Sequence, residues 1–228
     1  MFTNKRNKVN LYEAMNSGSL ILINTSKELL KQEGCEILGR FFIALICQAA
    51  QERASIPEGM RTDTFVFIDE AQDYFDKNIE NLLSQVRKYN VGIVLSHQNL
   101  AQFDYRLREA VNANTSIKMA GGLSGGDARA HAQEMNCDAG FLQSIRKHTT
   151  YTEFACLVKN ELERPIRIKV DFGQLEAMPK NPDEGLKHLR ELNRVRYCTN
   201  IQNFGRFNPD DDPPDENQGF TLDDPELL

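Results

Sequence analysis

Residues 64–70, TFVFIDE, decide how this chain is read. Five residues rich in aromatic and β-branched side chains run without a polar interruption and stop at two adjacent acids. A run that is apolar at every position suits a strand buried on both faces, as in a parallel sheet. In open parallel sheets the ligand site lies outside the carboxyl ends of the strands, where Asp69 and Glu70 would stand. A carboxylate there can hold magnesium, usually through water, while the ion bridges nucleotide phosphates. Its neighbour can orient an attacking water. The same two acids also fit a solvated strand-end turn, and this stretch alone leaves both readings open.

Outward from it, strand and helix patterns alternate. Downstream, Ile79, Leu82, Leu83 and Val86 fall at i, i+3, i+4, i+7, a helix face. Val91–Leu95 reads as a second apolar strand, Leu100–Val111 as helix and Thr115–Met119 as strand. Asp127–Met135 reads as a helix opened by the flexible GGLSGG of residues 121–126. Upstream, SLILIN (residues 19–24) reads as a short buried strand after the amphipathic Leu11–Met15, and Ile37–Arg53 as a helix apolar on more than one face. Such alternation predicts an α/β fold, a mostly parallel sheet with helices on both faces. Tyr151–Val158 and Pro165–Val170, joined by the polar KNELER, predict an antiparallel edge hairpin, and residues 183–196 a last helix. The expected division is a body over residues 1–200 and an acidic, disordered tail over 201–228, whose Asp, Pro and Asn cannot bury a core.

Bulk properties exclude several classes. The formal net charge is −6, but eight acids and no base follow Arg206, so the body is near neutral and no global field draws it to nucleic acid. Five cysteines at 35, 47, 137, 156 and 198 form no C-x-x-C pair and fit a reducing cytosol better than a disulfide framework. Cys137, His131 and Asp138 match no zinc spacing. The longest apolar run, Phe41–Cys47, is far short of the roughly 18 residues of a membrane helix. No apolar stretch follows the basic start, so no signal peptide is expected. The expected location is the cytoplasm, with the inner face of a membrane open to it only through segments outside these residues.

Two further polar residues flank the second strand. Gln98 follows its carboxyl end and would lie beside Asp69 and Glu70 if the two strands are neighbours, as sequential strands often are. An amide there can bond a terminal phosphate or the attacking water, or simply cap the strand. Arg87 stands at the other end, separated by about five strand residues of roughly 3.3 Å each. It cannot easily serve the same ligand within one subunit; it suits a neighbour's, or a plain helix C-terminus where a cation is favoured.

Together, TFVFIDEAQDYF, LLSQVRKYNVGIVLSHQNLAQF and LREAVNANTSIKMAGGLSGGDARA resemble the C-terminal half of the motor domain of the HerA/FtsK superfamily. Within it the resemblance is to type IV secretion and conjugation coupling ATPases and to HerA helicases, and it runs over residues 11–135. It implies a RecA-like core, with ATP and Mg2+ as cofactors. Asp69 matches the Walker B aspartate that holds magnesium through water, Glu70 the catalytic glutamate and Gln98 the sensor near the γ-phosphate. Arg87 matches the arginine finger inserted into the adjacent subunit's site. It also implies a homo-hexamer drawing DNA through its pore, for which Lys118, Arg129, Arg146 and Lys147 are candidate contacts.

One part of the pattern is missing. A phosphate loop needs G-x-x-x-x-G-K-[ST], and no Gly-Lys dipeptide occurs in these 228 residues. GGLSGG leads into Asp127, which would repel phosphate. The expectation is a fragment of a longer reading frame or a half-site completed by another chain, inactive as an ATPase by itself. The alternatives are a catalytically silent accessory or partner-docking module, and a secretion ATPase that moves protein rather than DNA. In the tail, Phe220, Leu222, Leu227 and Leu228 could anchor a protein partner among the acids, or the tail could serve solubility alone.

Overall fold

The computed structural model describes residues 8–74, 83–98 and 105–197. Helix α1 (Leu11–Asn16) is capped by Asn10, whose Oδ1 accepts a 3.1 Å bond from the Glu13 amide, and it buries Leu11 and Met15, four residues apart on one face. The long helix α2 (Lys27–Glu52) makes one turn, breaks at Lys31 (φ 59°, ψ 172°) and then runs on. Its buried side is narrower than expected: Cys35, Leu38, Gly39, Ile43, Ala49 and Ala50 are covered, whereas Ile37 and Phe41 are exposed. Gly39 sits against the Tyr74 ring so closely that an added Cβ would lie 2.2 Å from it.

Strands β1 (Thr64–Ile68) and β2 (Val91–Leu95) pair in parallel, Thr64 opposite Val91 and Ile68 opposite Leu95. Val66 and Ile68 pack with α1, α2 and Val86 into the first core. Phe65 and Phe67, on the opposite face of β1, stay 66% and 74% exposed. Helix α3 (Tyr105–Asn114) leads to β3 (Ile117–Ala120), followed by α4 (Gly125–Glu134), α5 (Ala139–Ser144) and the strands β4 (Tyr151–Val158) and β5 (Ile166–Asp171). The hairpin β4–β5 is antiparallel, as its sequence predicts. Its sheet has the order β3-β4-β5, with a second core of Ala120, Ala128, Met135, Leu142, Ile145, Ala155 and Leu157 beneath α4 and α5.

The α/β class is as expected, but two strands differ from their reading. Ile117–Ala120 joins the antiparallel hairpin, Ile117 opposite Val158, and not the β1–β2 ladder. SLILIN forms no strand: Leu20 and Leu22 are each 86% exposed. The chain is tied on either side of the segment, before it to the start of β1 and after it to Tyr74. Thr62 Oγ1 and Thr64 Oγ1 donate to the carbonyls of Asn16 and Met15 (3.3 Å each), and the Thr25 and Tyr74 hydroxyls lie 2.7 Å apart. Between these ties no backbone ladder forms, and an apolar run without a ladder stays open to water.

Arg53, at the end of α2, is wholly buried and holds the start of both parallel strands. Its Nη1 donates to the carbonyls of Thr62 (2.9 Å) and Tyr89 (3.1 Å), its Nη2 to the Met15 carbonyl (2.6 Å) and Thr64 Oγ1 (2.8 Å).

Residues Val9–Lys180 make one compact unit, and the last helix, α6 (Asp183–Tyr197), belongs to a second. Taken by itself, α6 carries an exposed stripe of Leu186, Leu189, Leu192 and Val195. Ile79, Leu82, Leu100 and the acidic tail lie outside the described residues. Among the described residues no helix is long and apolar enough to cross a membrane.

Candidate functional site

Immediately beyond Ile68 the chain turns sharply. Glu70 is left-handed (φ 49°, ψ 47°), a conformation that costs a residue with a Cβ about 1–2 kcal/mol. The ladder persists past the strand ends and holds the turn: the Ser96 amide donates to the Ile68 carbonyl (3.0 Å) and the Ala71 amide to the Ser96 carbonyl (2.9 Å), with Ala71 fully buried. The Glu70 amide donates to Asp69 Oδ1 at 3.0 Å. Strain held in place by surrounding bonds is typical of functional positions.

The polar side chains converge at this rim. Gln98 Nε2 donates to Glu70 Oε1 and Gln72 Nε2 to Glu70 Oε2, so the Glu70 carboxylate is clamped between two amides. Ser96 Oγ donates to Asp69 Oδ1. The parallel register explains the convergence: Ile68 and Leu95 are opposite each other, so the residues just beyond each strand emerge on the same side. Asp69, Glu70 and Gln98 are thus brought together. Arg87 is not; it lies exposed in the Val86–Tyr89 turn before β2, at the opposite end of the strand.

Several neighbours were not anticipated. Lys27 Nζ lies 2.7 Å from Asp73 Oδ2, and Gln32 Nε2 donates to Asp73 Oδ1 at 3.3 Å, which brings the start of α2 to the acid turn. The bond to Asp73 holds the Lys27 ammonium above its ordinary pKa, and Glu70 adds to the effect. Ser96 stands two residues from Gln98 just beyond the end of β2, a spacing that keeps side chains on one side of an extended chain, and that period-two signal could have found it; Gln72 lies in the Ala71–Asp73 turn after left-handed Glu70, where no such period applies.

His97, next to Gln98, stacks on His131 of α4, ring centroids 6.1 Å apart. Glu134 lies beneath them, 3.8 Å from His131 Nδ1 and 3.4 Å from Arg108 Nε, and it accepts from Asn112. Burial pushes both imidazoles below their usual pKa. Lys118 is drawn inward, its Nζ 3.5 Å from Asn112 Oδ1, and burial lowers its pKa. Arg129, Arg146 and Lys147 are exposed; Lys147 Nζ lies 5.6 Å from the Phe172 ring centroid.

The donor set at the rim is hard oxygen: two carboxylates, a hydroxyl and amide oxygens. That suits magnesium, which is held by one or two carboxylates together with phosphates and waters and not by an all-protein cage. Among the described residues no cluster of three or more His, Cys, Asp or Glu side chains could hold a metal ion without such help.

A family model described as Zonular occludens toxin (Zot) matches residues 14–134, more than half of the chain. The matched span runs from α1 to the end of α4 and includes β1, β2, β3, the acid pair, Arg87 and Gln98. That family is P-loop NTPase-like and related to secretion ATPases. No curated protein matches the chain.

Proposed function

The chain belongs to the Zot family, and on that premise we propose that it supplies the magnesium-and-water side of the ATP site of a DNA-translocating motor of the coupling-ATPase or HerA type. The observation that carries this reading is the hydrogen bond from Gln98 to Glu70 across two parallel strands, beside Asp69, at the carboxyl ends of both.

Asp69 is the residue that would hold magnesium through water, and the ion would neutralise phosphate charge. Glu70 polarises and orients the attacking water as a general base; the amides of Gln72 and Gln98 fix its carboxylate, so little reorganisation is needed. Gln98, one bond from Glu70, is placed to sense what occupies the rim. Arg87, exposed at the far end of β2, serves the site of an adjacent copy in a ring, where such an arginine can be worth about 10³–10⁵ in rate. Exposed Arg129, Arg146 and Lys147 face solvent and are the candidates for contact with DNA phosphates, more so than the inward-drawn Lys118.

The second reading, a catalytically silent docking module, is favoured by the lack of any Gly-Lys pair in the sequence. Electron paramagnetic resonance of Mn2+ with ATP separates the two. The motor reading expects a weak bound-ion signal that Asp69→Asn removes and Arg87→Ala leaves intact. Equal signals from wild type and Asp69→Asn would overturn it.

A further inference from the structure

Helix α6 (Asp183–Tyr197) is amphipathic. Asp183 and Glu184 stand in its first turn and Arg194 and Arg196 in its last, each sign at the end that the helix dipole favours. Leu186, Leu189, Leu192 and Val195 recur at every third residue along one side, and all four are exposed. Lys187, Arg190 and Arg194 fall at i, i+3, i+7 and line the other side. Arg194 is held by Glu191 at 2.7 Å, whereas among the described residues no carboxylate pairs with Lys187 or Arg190.

A helix of 15 residues is marginal in water by itself and takes most of its stability from packing an apolar face. A cover for α6 therefore needs apolar anchors together with negative charge. The end of the same chain has that composition. After Arg206 come eight acids and no base, with Phe220, Leu222, Leu227 and Leu228 among them. The stretch from Tyr197 to Phe220 spans at most about 80 Å, several times the roughly 22 Å length of α6, so the tail can reach every part of the helix. Drawn out, Phe220–Leu228 covers about 26 Å, close to the length of α6. Asp223, Asp224 and Glu226 lie between its two pairs of apolar residues. Joined to the helix through one chain, the tail meets it at an effective concentration on the order of millimolar.

We propose that the acidic tail, residues 207–228, docks on α6 of its own chain. Phe220 and Leu222 cover one end of the apolar stripe, Leu227 and Leu228 the other, and the acids between them pair with Lys187 and Arg190. The docked tail closes the stripe to water and neutralises these two cations. This docking does not depend on the nucleotide reading.

The chain has no tryptophan, so Phe220→Trp in the full chain places a single reporter in the tail. Its emission should lie to the blue of that of a synthetic peptide of residues 207–228 carrying the same change, at every protein concentration. Lys187→Glu with Arg190→Glu, which keeps the apolar stripe, should move the emission part of the way back. Leu189→Ser with Leu192→Ser should move it the whole way. In the chain without the reporter, Phe220→Ser with Leu222→Ser should speed hydrogen exchange in α6 by roughly tenfold. Emission equal to the peptide's overturns the docking. So does a blue shift that both α6 variants leave intact, which puts the tail elsewhere. A blue shift that grows with protein concentration assigns the face to the tail of a second copy. Exchange in α6 that slows only when phosphatidylserine vesicles are added gives the face to a lipid surface. Either of these two results overturns docking within one chain.

Discussion

Replacing Arg53 by alanine should be among the most damaging single changes in the body. The side chain is 0% exposed and spends two nitrogens on four acceptors: the carbonyls of Met15, Thr62 and Tyr89, and Thr64 Oγ1. No carboxylate partners the guanidinium among these acceptors; desolvation pulls its pKa down. Each hydrogen bond to a charged donor contributes about 1.5–3 kcal/mol, less the cost of burying the charge. Truncation also leaves a void and strands buried carbonyls. Together these predict a loss of about 3–5 kcal/mol, a large share of the roughly 5–15 kcal/mol typical of a folded domain. At about 2–4 °C per kcal/mol for a chain of this size, the melting point should fall by roughly 6–20 °C. Arg53→Lys keeps a charge and fewer donors and should fall between. Urea unfolding followed by circular dichroism measures all three. An Arg53→Ala chain within about 1 kcal/mol of wild type would refute the claim that this guanidinium fixes the starts of β1 and β2.

Gly39→Ala drives a methyl to 2.2 Å from the Tyr74 ring; it should cost about 1–3 kcal/mol as overpacking, seen as a lower melting temperature. Glu70→Ala and Glu70→Gly both give up the two amide bonds that the carboxylate accepts, but only glycine relieves the left-handed backbone, so Glu70→Gly should be more stable than Glu70→Ala by about 1–2 kcal/mol; equal stabilities for the two would remove the strain at this turn. His97 and His131 have pKa values depressed by burial. The unfolded chain therefore takes up protons first, so their stabilising contribution is whole above about pH 6.5 and is lost as pH falls through the lower folded values. A stability profile between about pH 8 and 5 should show this slope, and His131→Gln should flatten it.

The parallel pair was legible because both runs are apolar at every position and a helix-period segment separates them. That pattern implies neighbouring strands with a shared carboxyl rim, and with them the meeting of Glu70 and Gln98. Arg53 was not legible: its acceptors lie up to 38 residues away, and a helix-end arginine looks the same whether it faces water or carbonyls. The start of α2 was missed because KELLKQEG has little apolar period before Cys35, and the break at Lys31 interrupts the first turn.

The two misread strands share one cause. SLILIN and the residues of β3 have the side chains of inner strands, and periodicity reports what a segment can bury, not whether a neighbour is present to bury it. SLILIN forms no ladder, and β3 bonds only β4 among the described strands. Had these errors come from weak propensity, they would scatter among polar or glycine-rich segments. They fall instead on apolar segments that lack a described strand neighbour on at least one side, where Leu20, Leu22 and Ile117 remain exposed. Sequence reading therefore fails where a segment's apolar side chains have no described strand beside them to complete the ladder.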